Sequence, residues 1–188
     1  MTPKDIGRRA FVKAAGTAVG GMILVPGCAG SVGRWRVLSD PEARVVEAIA
    51  EQIIPADEDP GAREANVVNY IDTQLASVFA EHREAYRRGI AGVQQTSNVM
   101  FHADFASLEW KQQTDVLRVL ERGEAPGDIW ETVSARSFFE LIRDHTMQGF
   151  YGSPRHGGNR RFVSFRMIGL DYPRIVGQNR YEMFPGES

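Results

Sequence analysis

From Ser39 to Gln148 the apolar residues return every three or four positions, and nowhere do they alternate for the length of a strand. A period of 3.6 with no competing period of 2 leaves helix packed on helix as the architecture. Ser39-Asp40-Pro41 reads as a helix start, a capping residue followed by proline in the first turn. Val45, Val46, Ile49, Ile53 and Ile54 follow at helical spacing, and Pro55 stops the run. The same reasoning predicts helices over 62–79, 81–101, 107–122 and 128–148. In the second, Val67, Val68, Ile71, Leu75 and Val78 form the buried face; in the third, Tyr86, Ile90, Val93 and Met100 keep the period despite Gly89 and Gly92. Ser107 is read as the cap of the fourth and Gly123 as its end, with Leu108, Trp110, Val116, Leu117 and Leu120 inward. Trp130, Val133, Phe138, Phe139, Leu141 and Ile142 supply the fifth. The expectation is a compact all-α bundle of about five helices with an irregular C-terminal segment.

That segment starts near Phe150. Residues 151–161 are a loop of Gly, Pro, Asn and Arg, and Phe162, Phe165, Met167, Ile168, Leu170 and Tyr172 beyond it give apolar anchors. Charge is divided along the chain. The net −2 of all 188 residues splits into +3 over 1–27, −8 over 28–149 and +3 over 150–188. An acidic body with a near-neutral total gives no electrostatic case for nucleic-acid binding. Beyond residue 27 there are 17 arginines and one lysine, Lys111. GC-rich codons explain that excess, and so does an Arg-rich interface, because arginine forms bidentate pairs that lysine cannot.

The first 28 residues read as an address rather than as structure. Gly7-Arg8-Arg9-Ala10-Phe11-Val12-Lys13 is followed by fourteen uncharged residues, 14–27, too short for an ordinary transmembrane helix. Arg8, Arg9, Phe11 and Lys13 together resemble the twin-arginine export signal, whose weakly hydrophobic core is matched by the Ala, Gly and Thr content here. Cys28 ends the run as Val25-Pro26-Gly27-Cys28, which resembles a bacterial lipobox, with Pro26 a departure from its usual residue. Two outcomes fit: lipidation of Cys28 and membrane anchoring, or ordinary cleavage near Ala29. As the only cysteine, Cys28 excludes an intramolecular disulfide and any multi-cysteine metal or haem site.

Motifs that carry chemistry are scarce. No Gly-x-Gly-x-x-Gly follows a strand and no Gly-x-Ser-x-Gly elbow occurs. Asp57-Glu58-Asp59 is acidic, but Gly61 falls one place early for a calcium loop, so an exposed turn is expected. His82, His102, His145 and His156 show no pairing at metal-binding helical spacing. His145 reads as a hydrogen-bonded core histidine. His156 sits in the Gly157-Gly158-Asn159 loop, which reads either as a plain turn or as an interface or ligand loop. No catalytic or metal residue is assigned.

Two blocks carry a family resemblance. Glu51-Gln52-Ile53-Ile54-Pro55-Ala56-Asp57-Glu58-Asp59-Pro60-Gly61-Ala62 resembles the first block of the gluconate 2-dehydrogenase subunit 3 family. Thr146-Met147-Gln148-Gly149-Phe150-Tyr151-Gly152 with Pro154-Arg155-His156-Gly157-Gly158-Asn159-Arg160 resembles the second, and Phe165-Arg166-Met167-Ile168-Gly169 a following run. The resemblance spans about residues 40–172, with 80–145 alike only in helical character.

It implies an export leader over 1–28 and a helical domain over 40–188. It further implies a non-catalytic small subunit that assists the folding and twin-arginine export of a large flavin-dependent dehydrogenase of the glucose–methanol–choline type, one acting on gluconate, glucose, another polyol or a glycoside. No cofactor is then expected in this chain and FAD is expected in the partner, with a cytochrome c subunit as a further component. The location implied is the periplasm, at the inner membrane if Cys28 is lipidated. Arg155, His156, Gly157, Gly158, Asn159 and Arg160 become the candidate partner surface. The alternative is a free-standing periplasmic lipoprotein that binds a small ligand or has chemistry of its own at His145 and His156.

Overall fold

The computed structural model describes residues 34–169. Arg8, Arg9, Phe11, Lys13 and Cys28 lie outside the described residues, as do Leu170 and Tyr172. Among the described residues the fold is all-α, as expected from the periodicity. An irregular strap, residues 34–38, leads into six helices: α1 (Asp40–Ile53), α2 (Val67–Leu75), α3 (Arg83–Phe101), α4 (Trp110–Arg122), α5 (Ala135–Tyr151) and the short α6 (Val163–Met167). Helix α5 is the hub and packs against all five others, while α1 packs against α2, α3, α4 and α5. Ile49, Ile71, Val93, Val116, Ile142 and Phe150 are almost wholly buried between them. Each such side chain contributes about 1.5–3 kcal/mol by leaving water.

Helix α1 begins and ends where its residues dictate. Ser39 caps it in a reciprocal box: Ser39 N donates to Glu42 Oε2 at 2.8 Å, and Ser39 Oγ accepts from Glu42 N. Ile54, pushed out of the helical region by Pro55, closes it at φ −131°. Gly123 ends α4 with φ 74°. Two backbone bonds close the helix, Gly123 N donating to Leu120 O and Glu124 N to Val119 O.

Three boundaries differ from the sequence reading. Helix α2 is nine residues long rather than eighteen. Asn66 takes a left-handed conformation, φ 59°, so 62–66 form turns instead of a first helical segment. At the other end Phe79 N donates to Gln74 O, which turns the chain; Phe79 packs inward and Val78, expected to be buried, is 68% exposed. Helix α4 starts at Trp110, not Ser107. A 3₁₀ turn over Phe105–Ser107 buries Phe105 first, and Glu109, in a capping box with Gln112, takes the place expected of Ser107. Trp110 therefore stands at the outer edge, half exposed. Helix α5 starts at Ala135, capped by Ser134, and runs on to Tyr151; a separate 3₁₀ turn, Asp128–Glu131, carries Trp130.

The two glycines of α3 have a packing reason. A Cβ at Gly89 would overlap the Phe138 ring, and one at Gly92 would overlap the Trp130 indole. Trp130 Nε1 donates to Thr96 Oγ1 one turn further along α3, at 2.8 Å. The missing side chains let α5 and its preceding turn approach α3 closely.

Candidate functional site

Helix α2 has no exposed residue. A helix buried all round must be covered on every side. Its inner side meets α1 and α5. Its outer side is covered by two irregular segments that the sequence places more than a hundred residues apart, the strap and the loop after α5.

The loop runs along α2 in reverse. Gln74 Nε2 donates to His156 O at 3.3 Å, Asn69 Nδ2 to Gly157 O at 2.8 Å, and Arg160 N to Ala65 O at 3.0 Å. Gly157 has φ 98°, and a Cβ there would stand 2.7 Å from Asn69 Nδ2. At Gly158 a Cβ would overlap the Gly149 carbonyl. Asn159 is fully buried and uses all four of its polar groups. Its N–H donates to Gly149 O and its Nδ2 to Gly152 O, both at 2.8 Å; its carbonyl accepts from Phe162 N and its Oδ1 from Ser164 N. That set fastens the loop to the end of α5 and the start of α6. It also holds Asn159, Arg161 and Phe162 at positive φ, 40°, 55° and 59°, a conformation that costs non-glycine residues about 1 kcal/mol or more each.

The strap is held by one carboxylate. Asp72 is wholly buried in α2. Its Oδ2 accepts from Arg36 N at 2.8 Å, and its Oδ1 accepts from Val37 N at 2.8 Å and Leu38 N at 3.0 Å. Such bonds to an ionised acceptor are about twice as strong as neutral ones. The Arg36 side chain, 56% exposed, sits 3.8 Å from Asp72 and donates to Thr73 Oγ1 at 3.0 Å.

His145 lies inside the bundle, 4% exposed. The Tyr86 hydroxyl and His145 Nδ1 share a hydrogen bond of 3.0 Å, and Phe79 stacks on the imidazole at 4.3 Å. Burial first, and then the neighbouring His82, lower its pKa to about 4. Burial raises the Tyr86 hydroxyl well above its usual value. Both groups are therefore neutral near pH 7, and the pair forms a satisfied core contact. His156 is exposed and its Nε2 accepts from Arg155 Nε at 3.0 Å.

The acidic turn is exposed, as expected. It is closed from within the first block: Glu51 accepts from Ala56 N and Arg63 N, while Gln52 Nε2 donates to Trp110 O and Gln113 Oε1 and so ties α1 to α4. Among the described residues no group of three or more His, Cys, Asp or Glu could hold a metal, and no helix is long and apolar enough to cross a membrane. A cleft of about 310 Å³ lies between the strap and α1, lined by Arg34, Trp35, Asp40, Ala43, Arg44 and Glu47. Neither His145 nor His156 lines it.

The structure thus sorts the six loop residues. Gly158 and Asn159 are buried and bind the fold to itself, Gly157 is half buried, and Arg155, His156 and Arg160 face outward. It adds Asp72, Thr73 and Arg36, which sequence reasoning passed over. One signal for Asp72 was present: it is the only acid in a helix whose every neighbour is apolar or neutral.

A family model described as gluconate 2-dehydrogenase subunit 3 matches residues 40–171, from the first residue of α1 to two residues past the described chain. The strap lies just outside the match. No curated protein and no solved structure matches.

Proposed function

Because the chain belongs to the gluconate 2-dehydrogenase subunit 3 family, we propose that it is the non-catalytic small subunit of an exported FAD-dependent dehydrogenase acting on a sugar, sugar acid or polyol. In this reading FAD and the substrate site belong to a large partner of the glucose–methanol–choline type. A cytochrome c subunit takes the electrons onward. Arg8, Arg9, Phe11 and Lys13 direct the pair to the twin-arginine translocase, and the complex works in the periplasm. Cys28 anchors it to the inner membrane if the thiol is lipidated.

The family match over 132 residues carries the proposal. The geometry supports it in one respect: the loop of the second block commits Gly158 and Asn159 to internal bonds and turns Arg155, His156 and Arg160 outward. Such an arrangement builds a rigid surface rather than a pocket. His145, as a sequestered neutral imidazole, is unsuited to proton transfer with a substrate at the surface.

The test is capture of the tagged full-length chain from the cell that makes it. Co-purification of a large, yellow, FAD-containing protein that oxidises gluconate, glucose or a polyol with an artificial acceptor is the expected result. Recovery of the chain alone, binding a small ligand or turning over a sugar unaided, would overturn the proposal in favour of a free-standing protein.

A further inference from the structure

We propose that the outer face of α2 is the docking surface for the flavin subunit, built jointly from the strap and the loop, with Arg36, Arg155 and Arg160 pairing to partner carboxylates. This inference rests on the function proposed above and goes beyond it, because the strap lies outside the family match.

Three observations carry it. First, the strap and the loop are one surface. Thr73 stands between them: its Oγ1 accepts from Arg36 Nη1 at 3.0 Å, and a Cβ at Gly157 would lie 3.4 Å from the same oxygen. Both segments are fixed from below, the strap by Asp72 and the loop by Asn159. A surface already rigid loses little conformational entropy on binding.

Second, this surface is cationic. Residues 150–169 contain Arg155, Arg160, Arg161 and Arg166 and no Asp or Glu. Among the described residues none of these four has a carboxylate within 4.0 Å; Arg155 Nε donates to the His156 ring at 3.0 Å and Arg160 Nε to the Glu64 carbonyl at 3.3 Å. Among the described residues the one carboxylate within 4.0 Å of Arg36 is that of Asp72, whose oxygens already accept three backbone N–H groups. With Arg36 Nη1, Arg155 Nε and Arg160 Nε used inside the chain, it is the outer Nη groups of Arg155 and Arg160 and the Nη2 of Arg36 that are offered to carboxylates on another protein.

Third, the backbone on both sides of Arg160 is held in a costly conformation. Three left-handed non-glycine residues surround Arg160, namely Asn159, Arg161 and Phe162. Strain of that kind persists only where the surroundings over-determine it, and it clusters at functional surfaces. The adjoining end of α5 adds Met147 and Tyr151, four residues apart on one helix face and each 42% exposed. Arginine, tyrosine and methionine are among the residues enriched at interfaces.

The experiment uses the full chain co-expressed with the flavoprotein that the wild type captures. Arg36→Glu and the double variant R155E/R160E are compared with Arg118→Glu and Arg143→Glu, which lie on exposed positions of α4 and α5. Circular dichroism and thermal melting establish that each is folded. The expected result is at least a tenfold loss of affinity for each α2-face variant, less than a twofold change for the controls, and partial recovery with Arg36→Lys. If the wild type captures the flavoprotein and folded α2-face variants bind it equally well, the docking surface is wrong while the accessory function stands. If the wild type captures no flavoprotein, the functional reading itself has failed and the docking surface with it. A dimer in light scattering that Arg36→Glu dissolves would mean that a second copy of this chain occupies the face, and would overturn the proposal.

Discussion

Two pairs of glycines mark two different ways in which this chain holds itself together. Gly89 and Gly92 on α3 face aromatic rings, Phe138 and Trp130. Gly157 and Gly158 on the loop face an amide nitrogen and a carbonyl oxygen. The inner region is organised by shape and apolar area, which many sequences can satisfy. The outer cover of α2 is organised by hydrogen bonds to particular atoms, and few substitutions preserve those. Function on such a protein is expected where the chain uses the stricter method, since rigid polar scaffolding serves an outward surface better than it serves a core.

The comparison can be broken first at Asp72. Asp72→Ala leaves three N–H groups of the strap without an acceptor and should destabilise the fold by about 3 kcal/mol, read by urea unfolding. Asp72→Asn keeps one acceptor oxygen and should cost less. A loss below 0.5 kcal/mol for the alanine variant would show the strap to be a loose covering.

His145 tests the inner region through pH. Its folded pKa of about 4 lies below the ordinary 6.5. Between those values the unfolded chain binds a proton that the folded chain refuses, so stability falls as pH drops through the window and levels off below pH 4. The loss attributable to this one group is up to about 3 kcal/mol. His145→Gln should flatten the stability curve between pH 6.5 and 4 relative to wild type. Parallel curves would mean that the imidazole is accessible to protons in the native state.

Gly89→Ala should invert the usual sign. In an exposed helix this change stabilises by about 0.5–1 kcal/mol. Against the Phe138 ring it should instead destabilise by about 1–3 kcal/mol, visible as a lower melting temperature. The smallest effect is at the cap of α1, where Ser39→Ala should cost about 1 kcal/mol without changing either glycine-lined contact.

The inner region was legible in the sequence because burial leaves a period. Val45, Val46, Ile49, Val67, Ile71, Val93, Val116 and Ile142 could be assigned to the core from spacing alone, and all are buried. Boundaries were harder. Val78 kept the helical period yet points outward, because Asn66 and Phe79 shorten α2 through turns that spacing does not register. The outer cover left no period at all. Asp72 reaches Arg36, Val37 and Leu38 across more than thirty residues, and Asn159 bonds to the end of α5 and the start of α6 from a loop that has no regular repeat. The second block could be matched to a family, but the division of labour within it, Asn159 inward and Arg155 and Arg160 outward, depends on three-dimensional hydrogen bonding.

Arg8 and Arg9 allow the most direct test of the escort role. Both are replaced by lysine in the otherwise intact chain, and dye-linked dehydrogenase activity is then measured in periplasmic and cytoplasmic fractions. The account predicts that the partner's activity stays in the cytoplasm together with this chain. Partner activity that still reaches the periplasm at the wild-type level would contradict it.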